Sequence, residues 1–188
     1  ADEAANSEIN SGPEWKCTVD KAYSPFPIPR DQVTGYIALG PNEKVDASLY
    51  PWGWQTLNFD DSSWTNAHSI KPGAGRLSVD AASRWMLVPR PIPLEELRPE
   101  RIPTLRKAEG VEAPRGFPQS SNPIHVRAHG KAILLLDQTY LTTGYPEISV
   151  SGGKGSSVRL RYAETLYSSK KPIVKGNRGE IEGKSFFS

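Results

Sequence analysis

From residue 131 to residue 167, apolar and polar side chains alternate in short blocks broken by a glycine-rich turn. Residues 131–136 form a short apolar run. Over 145–150, Ile148 and Val150 fall on one face, with Glu147 and Ser149 on the other. Over 157–164, Val158, Leu160 and Tyr162 oppose Arg159, Arg161 and Ala163. Between these two segments lies Ser151-Gly-Gly-Lys-Gly155, a sequence suited to positive φ, which costs glycine nothing. Period-two alternation across such a turn predicts an antiparallel hairpin with one buried face.

The rest of the chain reads as shorter strands. A strand is expected over 14–20, where Trp15, Cys17 and Val19 alternate, making Cys17 a small buried hydrophobe. Residues 22–30 hold three prolines and must run extended at an edge, because proline cannot donate to a ladder. Strands are expected over 33–39 and over 44–50, the latter alternating Val45, Ala47 and Leu49. In 57–64, Asp60, Asp61 and Ser62 can fold back on backbone N–H groups, leaving Phe59 and Trp64 as a plug. A strand follows over 84–89. Residues 90–103 are punctuated by proline and allow at most one helical turn, at 94–97. A short strand is expected over 105–113, a loop over 114–122, and the last domain from 123–128 onward. The fold class is therefore all-β, an antiparallel β-sandwich with little helix. Its parts are a disordered 1–13, a first β domain over 14–89, a proline-rich linker over 90–118 and a second sandwich over 119–188.

Composition agrees with short strands: 17 prolines and 16 glycines stand against 37% hydrophobic residues in 188, which disfavours long helices. A net charge of +2 gives no electrostatic case for a nucleic-acid partner. No apolar run approaches a membrane span, so no membrane partner is expected. One cysteine excludes an internal disulfide. The first residues are acidic and polar, without the pattern of a signal peptide.

Candidate chemistry is sparse. The carboxylates Asp137, Glu147, Glu164, Glu180 and Glu182 form no pair that alternation places across a sugar-sized cleft. Glu164 falls on the apolar face of its strand. It is thus expected as a buried or rim acid partnered by Arg127, Arg178 or a backbone turn, serving either structure or a ligand. His125 and His129 lie about 13 Å apart if extended, too far to share a metal ion. The glycine turn lacks the Gly-Lys-Ser/Thr ending of a phosphate loop. Asp60 and Asp61 could contribute to a structural Ca²⁺, yet supply about two of the six to eight oxygens it takes. No other cofactor is expected. Among the aromatics, Trp52 and Trp54 are two apart and would share a face of an extended segment. With Tyr140 they are candidates for stacking on sugar rings, the alternative being core packing.

Several segments together resemble one family. Phe59-Asp-Asp-Ser-Ser-Trp64 is similar to a loop of galactose-binding-like jelly-roll domains in glycoside hydrolases. Arg84-Trp-Met-Leu-Val-Pro-Arg-Pro-Ile-Pro-Leu-Glu-Glu96 resembles the segment before the second sandwich of bacterial α-L-rhamnosidases of glycoside hydrolase family 78. Tyr162-Ala-Glu-Thr-Leu166 is similar to their Tyr-Ala-Glu-x-Leu strand. Lys175-Gly-Asn-Arg-Gly-Glu-Ile-Glu-Gly183 resembles the following loop in Bacteroides-type members. Leu136-Asp-Gln-Thr-Tyr-Leu-Thr-Thr-Gly-Tyr-Pro-Glu147 stands where they carry an Asp-x-Gly-Gln-Asn pattern, from which Asp137-Gln138-Thr139 departs.

The resemblance implies jelly-roll domains, galactose-binding-like and concanavalin-like, outside the cytoplasm. The family's (α/α)₆ catalytic barrel exceeds what 188 residues can hold. The implied role is an accessory, non-catalytic region of an enzyme acting on rhamnose-containing plant polysaccharides or glycosides. Its partner would be the catalytic barrel of the parent chain, with carbohydrate second. No catalytic residue is implied here. The candidate carbohydrate contacts are Trp52, Trp54, Tyr140, Glu164, Asn177, Arg178 and Glu180. The alternatives are an autonomous carbohydrate-binding module, calcium-dependent or not, and an enzyme assembled from several copies.

Overall fold

The computed structural model describes residues 12–27, 42–70, 74, 89–170 and 173–186. The strand expected over 33–39, all but Pro89 of the one over 84–89, and all but the last two residues of 1–13 lie outside them. Among the described residues each strand pairs antiparallel with one neighbour, giving four two-stranded ladders. There is no helix among them, so none is long and apolar enough to cross a membrane. The chain divides into two compact units, Ala1–Pro93 and Leu94–Ser188.

In the first unit, β1 (Lys16–Cys17) pairs with β4 (Thr65–Asn66), and β2 (Tyr23–Phe26) with β3 (Asn42–Val45). The β1–β4 ladder is two residues long and is extended by Ala67 N–H donating to the Trp15 carbonyl at 2.6 Å. Lys16 Nζ bonds Asp61 Oδ1 at 2.7 Å. So short a ladder covers little, and Cys17 is exposed rather than buried as its alternation predicts. Pro25 sits in β2 opposite Glu43, at an edge where its missing N–H costs no ladder bond. Beside it Ala22 is 2% exposed, held by its N–H donating to Asp20 Oδ1 at 2.9 Å. The strand expected over 44–50 stops at Val45. Asp46 Oδ1 takes both the N–H and the hydroxyl of Ser48, at 3.0 and 2.6 Å, and that Asx-turn ends the extended backbone. Within residues 57–64 the expected turn forms at Asp60, whereas the Asp61 carboxylate pairs with Lys16. Asp60 Oδ1 accepts the Ser62 N–H at 3.0 Å, and Phe59 meets Trp64 edge-on at 5.5 Å.

In the second unit, β5 (Thr104–Glu109) pairs with β6 (Ile133–Asp137), and β7 (Tyr167–Lys170) with β8 (Ile173–Lys175). The short strands expected over 131–136 and 105–113 are both present with shifted ends. The register slips between Leu105 and Lys107, so Arg106 occupies a β-bulge, a device that re-aims a side chain. Past β5 the chain turns at Gly110, with φ +73°, pressed against the Lys131 carbonyl. Residues 94–97 form no helical turn; Leu94 and Leu97 are exposed in irregular backbone.

The largest departure is at 145–164. The glycine turn forms, with Gly152, Gly153 and Gly155 at positive φ and Ser156 N–H donating to the Gly153 carbonyl at 2.8 Å. The flanking segments do not pair as strands. Ile148, Val150, Val158, Leu160 and Tyr162 are all exposed, so the expected buried face is uncovered. A two-stranded hairpin gains little unless something packs on it, and here nothing does among the described residues. The hairpin forms instead at β7–β8, closed by a Tyr167–Ser185 bridge.

Candidate functional site

Two clusters, one in each unit, hold the candidate residues other than Glu164. In the first unit, Pro51 to Phe59 is a chain of turns rather than an extended segment. Trp54 N–H donates to the Pro51 carbonyl at 3.2 Å and Thr56 N–H to the Gly53 carbonyl at 2.9 Å. Gly53 has φ +84°, a conformation glycine enters without strain. Trp52 and Trp54 therefore do not share a strand face, because the backbone bends between them. A different grouping results. Tyr50 meets Tyr23 edge-on at 6.4 Å and Trp52 at 4.8 Å. Trp52 Nε1 donates to the Ala47 carbonyl at 2.8 Å, and Trp54 Nε1 to the Tyr50 hydroxyl at 3.0 Å. With both indole N–H groups engaged, Trp52 remains 70% and Trp54 48% exposed. Exposed, tethered rings of this kind can stack on the C–H faces of a sugar.

Asp60 and Asp61 are committed elsewhere. Hydrogen bonds from Ser62 hold the Asp60 carboxyl below its ordinary range, and Asp61 faces Lys16. No group of three or more His, Cys, Asp and Glu that could hold a metal ion occurs among the described residues. His125 and His129 lie in loop and turn rather than in a strand-like segment, and His129 is itself left-handed at φ +59°.

In the second unit the centre is Asp137, the last residue of β6. Oδ1 accepts the Thr139 N–H at 2.7 Å and Arg178 Nη2 at 3.2 Å; Oδ2 accepts Arg106 Nη1 at 2.8 Å. Arg106, aimed by the bulge, also donates through Nη2 to the Gly179 carbonyl at 2.8 Å. Arg178 Nη1 donates to the Thr139 carbonyl. The Thr139 N–H, then the Arg106 hydrogen bond and the Arg178 and Arg106 charges, hold the Asp137 carboxyl below its ordinary range against a desolvation that pushes upward. Thr139 is left-handed at φ +69°, unusual for a β-branched residue, and both its backbone groups are held by this cluster.

Asn177 Nδ2 donates to Glu180 Oε1 at 2.9 Å, and Lys184 Nζ lies 3.4 Å from Glu180 Oε2. Both interactions, Asn177 first, lower the Glu180 pKa. A shallow groove of about 510 Å³ runs past Arg106, Gly179, Glu180, Glu182 and Lys184. Tyr140 points its hydroxyl at Glu100 Oε2, 3.0 Å away, and accepts from Gln138 Nε2 at 3.1 Å.

The structure thus gathers Asn177, Arg178 and Glu180 on one loop, with Arg178 reaching the residue before Tyr140. Glu164 stands apart. It is exposed, not a buried or rim acid, and its partner is Lys175 at 3.1 Å rather than Arg127 or Arg178. Without the expected strand, nothing draws Glu164 inward. Sequence reasoning did not find the clamp on Asp137 by Arg106, nor the place of Tyr50 among the tryptophans. A bulge leaves no mark in alternation, and Tyr50 lies at the end of a segment read as a strand.

Compared with protein-family models, curated proteins and solved structures, the chain matches none.

Proposed function

We propose that this chain is an accessory, non-catalytic β region of a glycoside hydrolase similar to bacterial α-L-rhamnosidases. In this reading the four ladders are the paired kernels of jelly-roll sandwiches that brace a catalytic barrel outside the cytoplasm. One observation carries it. The segments 136–147 and 175–183, which bear two parts of the family resemblance, are tied together through Asp137, Thr139, Arg106 and Arg178. A loop anchored at Arg178 and Gly179, with Asn177, Glu180 and Glu182 beside the anchor, suits a role of reaching toward a neighbouring domain. The test is hydrolysis of an aryl α-L-rhamnoside by the purified chain. No turnover above the uncatalysed rate is expected, and a turnover near 1 s⁻¹, on the order of ordinary enzymes, overturns the proposal.

A second reading, an autonomous carbohydrate-binding module, is favoured by the exposed cluster of Tyr50, Trp52 and Trp54. Titration with rhamnose or pectic oligosaccharides, followed by tryptophan fluorescence, is expected to quench or shift the emission. An unchanged spectrum at millimolar sugar removes this reading.

A further inference from the structure

Beyond β5 the chain makes a second groove, within the second unit and separate from the Asp137 cluster. Gly110 turns against the Lys131 carbonyl, Phe117 N–H closes on the Pro114 carbonyl at 3.1 Å, and Gly130 N–H closes on the Arg127 carbonyl at 2.9 Å. These turns frame a cavity of about 800 Å³. Val111 and Pro114 are half-buried in its lining, while Glu112, Arg115, His125 and Arg127 line it as exposed polar residues. Neither the Arg115 nor the Arg127 guanidinium has an ion pair or hydrogen bond to another described residue. This contrasts with Arg106 and Arg178, which are both spent on Asp137.

We propose that this groove binds the carboxylate of a sugar acid. A guanidinium presents paired donors in a planar fork that matches a carboxylate, and two arginines without a side-chain partner among the described residues line this one groove. The apolar surface of Val111 and Pro114 suits the C–H face of a pyranose ring. The Glu112 carboxylate accepts from ring hydroxyls, and the His125 imidazole offers a further polar contact. Anion capture rests on the arginine pair alone. The sugar body of the ligand rests on the carbohydrate reading above.

The experiment is calorimetric titration of the whole chain with sodium glucuronate, glucose and inorganic phosphate in parallel. Glucuronate is expected to bind at millimolar concentration, with glucose and phosphate each about tenfold weaker or more. Arg115→Gln and Arg127→Gln are each expected to weaken glucuronate by about tenfold. Arg127→Lys, which keeps the charge and loses the fork, is also expected to weaken it. Lys154→Gln removes a charge outside the groove and should leave binding unchanged. Circular dichroism of each variant checks that the fold is retained.

No heat with glucuronate, equal binding of glucose, or folded arginine variants that bind like the parent chain overturns the proposal. Phosphate binding as tightly as glucuronate overturns the sugar-acid assignment. None of these results touches the tryptophan titration with neutral rhamnose, so failure here and failure of the carbohydrate-binding reading are separable.

Discussion

Replacing Asp137 with Asn tests whether one carboxylate holds the 175–183 loop to β6. The native group receives the Thr139 N–H at 2.7 Å, Arg106 at 2.8 Å and Arg178 at 3.2 Å. Asn keeps a neutral acceptor for one donor and loses the charge shared by the two guanidiniums. Hydrogen bonds to a charged group contribute about 1.5–3 kcal/mol each when well shielded. Here the Asp137 side chain is 22% and that of Arg178 43% exposed, so solvent screening takes much of that away. The expected loss is about 2 kcal/mol, equivalent to about a 30-fold rise in the local opening equilibrium. Hydrogen exchange read by mass spectrometry on peptides covering 133–140 and 176–185 measures it directly. Tryptophan fluorescence is no substitute, because all five tryptophans lie within Ala1–Pro93.

The same group sets a pH dependence. Its folded pKa is lowered, first by the Thr139 N–H and then by the arginines. Its contribution is therefore complete above the unfolded carboxyl value of about 4, and is lost as pH falls through the folded value. Protection of both peptides, corrected for intrinsic exchange rates, should decline on acidification in the parent chain and change less in Asp137→Asn. Exchange in the variant equal to that of the parent chain at neutral pH would refute the clamp.

Gly110→Ala should destabilise the β5–β6 ladder by at least about 2 kcal/mol, since positive φ alone costs about 1–2, and the new Cβ would lie 2.0 Å from the Lys131 carbonyl oxygen; faster exchange over 104–109 and 133–137 reads it. Tyr50→Ala removes two edge-on ring contacts and the acceptor of Trp54 Nε1, and should lower first-unit stability by about 1 kcal/mol, seen as an earlier urea midpoint by tryptophan fluorescence. Glu164→Gln breaks only an exposed pair with Lys175 and should leave exchange across β7–β8 unchanged; a clear rise there would restore a structural role to Glu164.

Features set by a few adjacent residues were legible in the sequence. Gly152, Gly153 and Gly155 announce their turn, Asp60 and Ser62 theirs, and Pro25 its edge, because each depends on the residue's own backbone preference. The apolar run of β6 is legible too. Alternation over 145–150 and 157–164 is present as a pattern, yet neither segment forms a strand. It tells which side chains would share a face, not whether anything covers that face. The β7–β8 hairpin escaped for the converse reason, since Tyr167-Ser-Ser-Lys170 carries no alternating apolar signal. At the site, Arg178 and Asn177 stood out through family likeness. Arg106 depended on a register slip between distant segments, which only pairing reveals.

The exposure of Cys17 has a practical side. The chain holds a single thiol, it lies in a ladder of two residue pairs, and its sulfur is 4.0 Å from Thr65 Oγ1 across the strands. A maleimide dye can therefore attach at one position only and yield a uniform labelled species. Its ring would sit over the pairing it reports on. A nitroxide spin label at the same sulfur would register separation of β1 from β4 as a sharpening of its spectrum. The smallest ladder among the described residues is thus one that can be watched without engineering a residue into it.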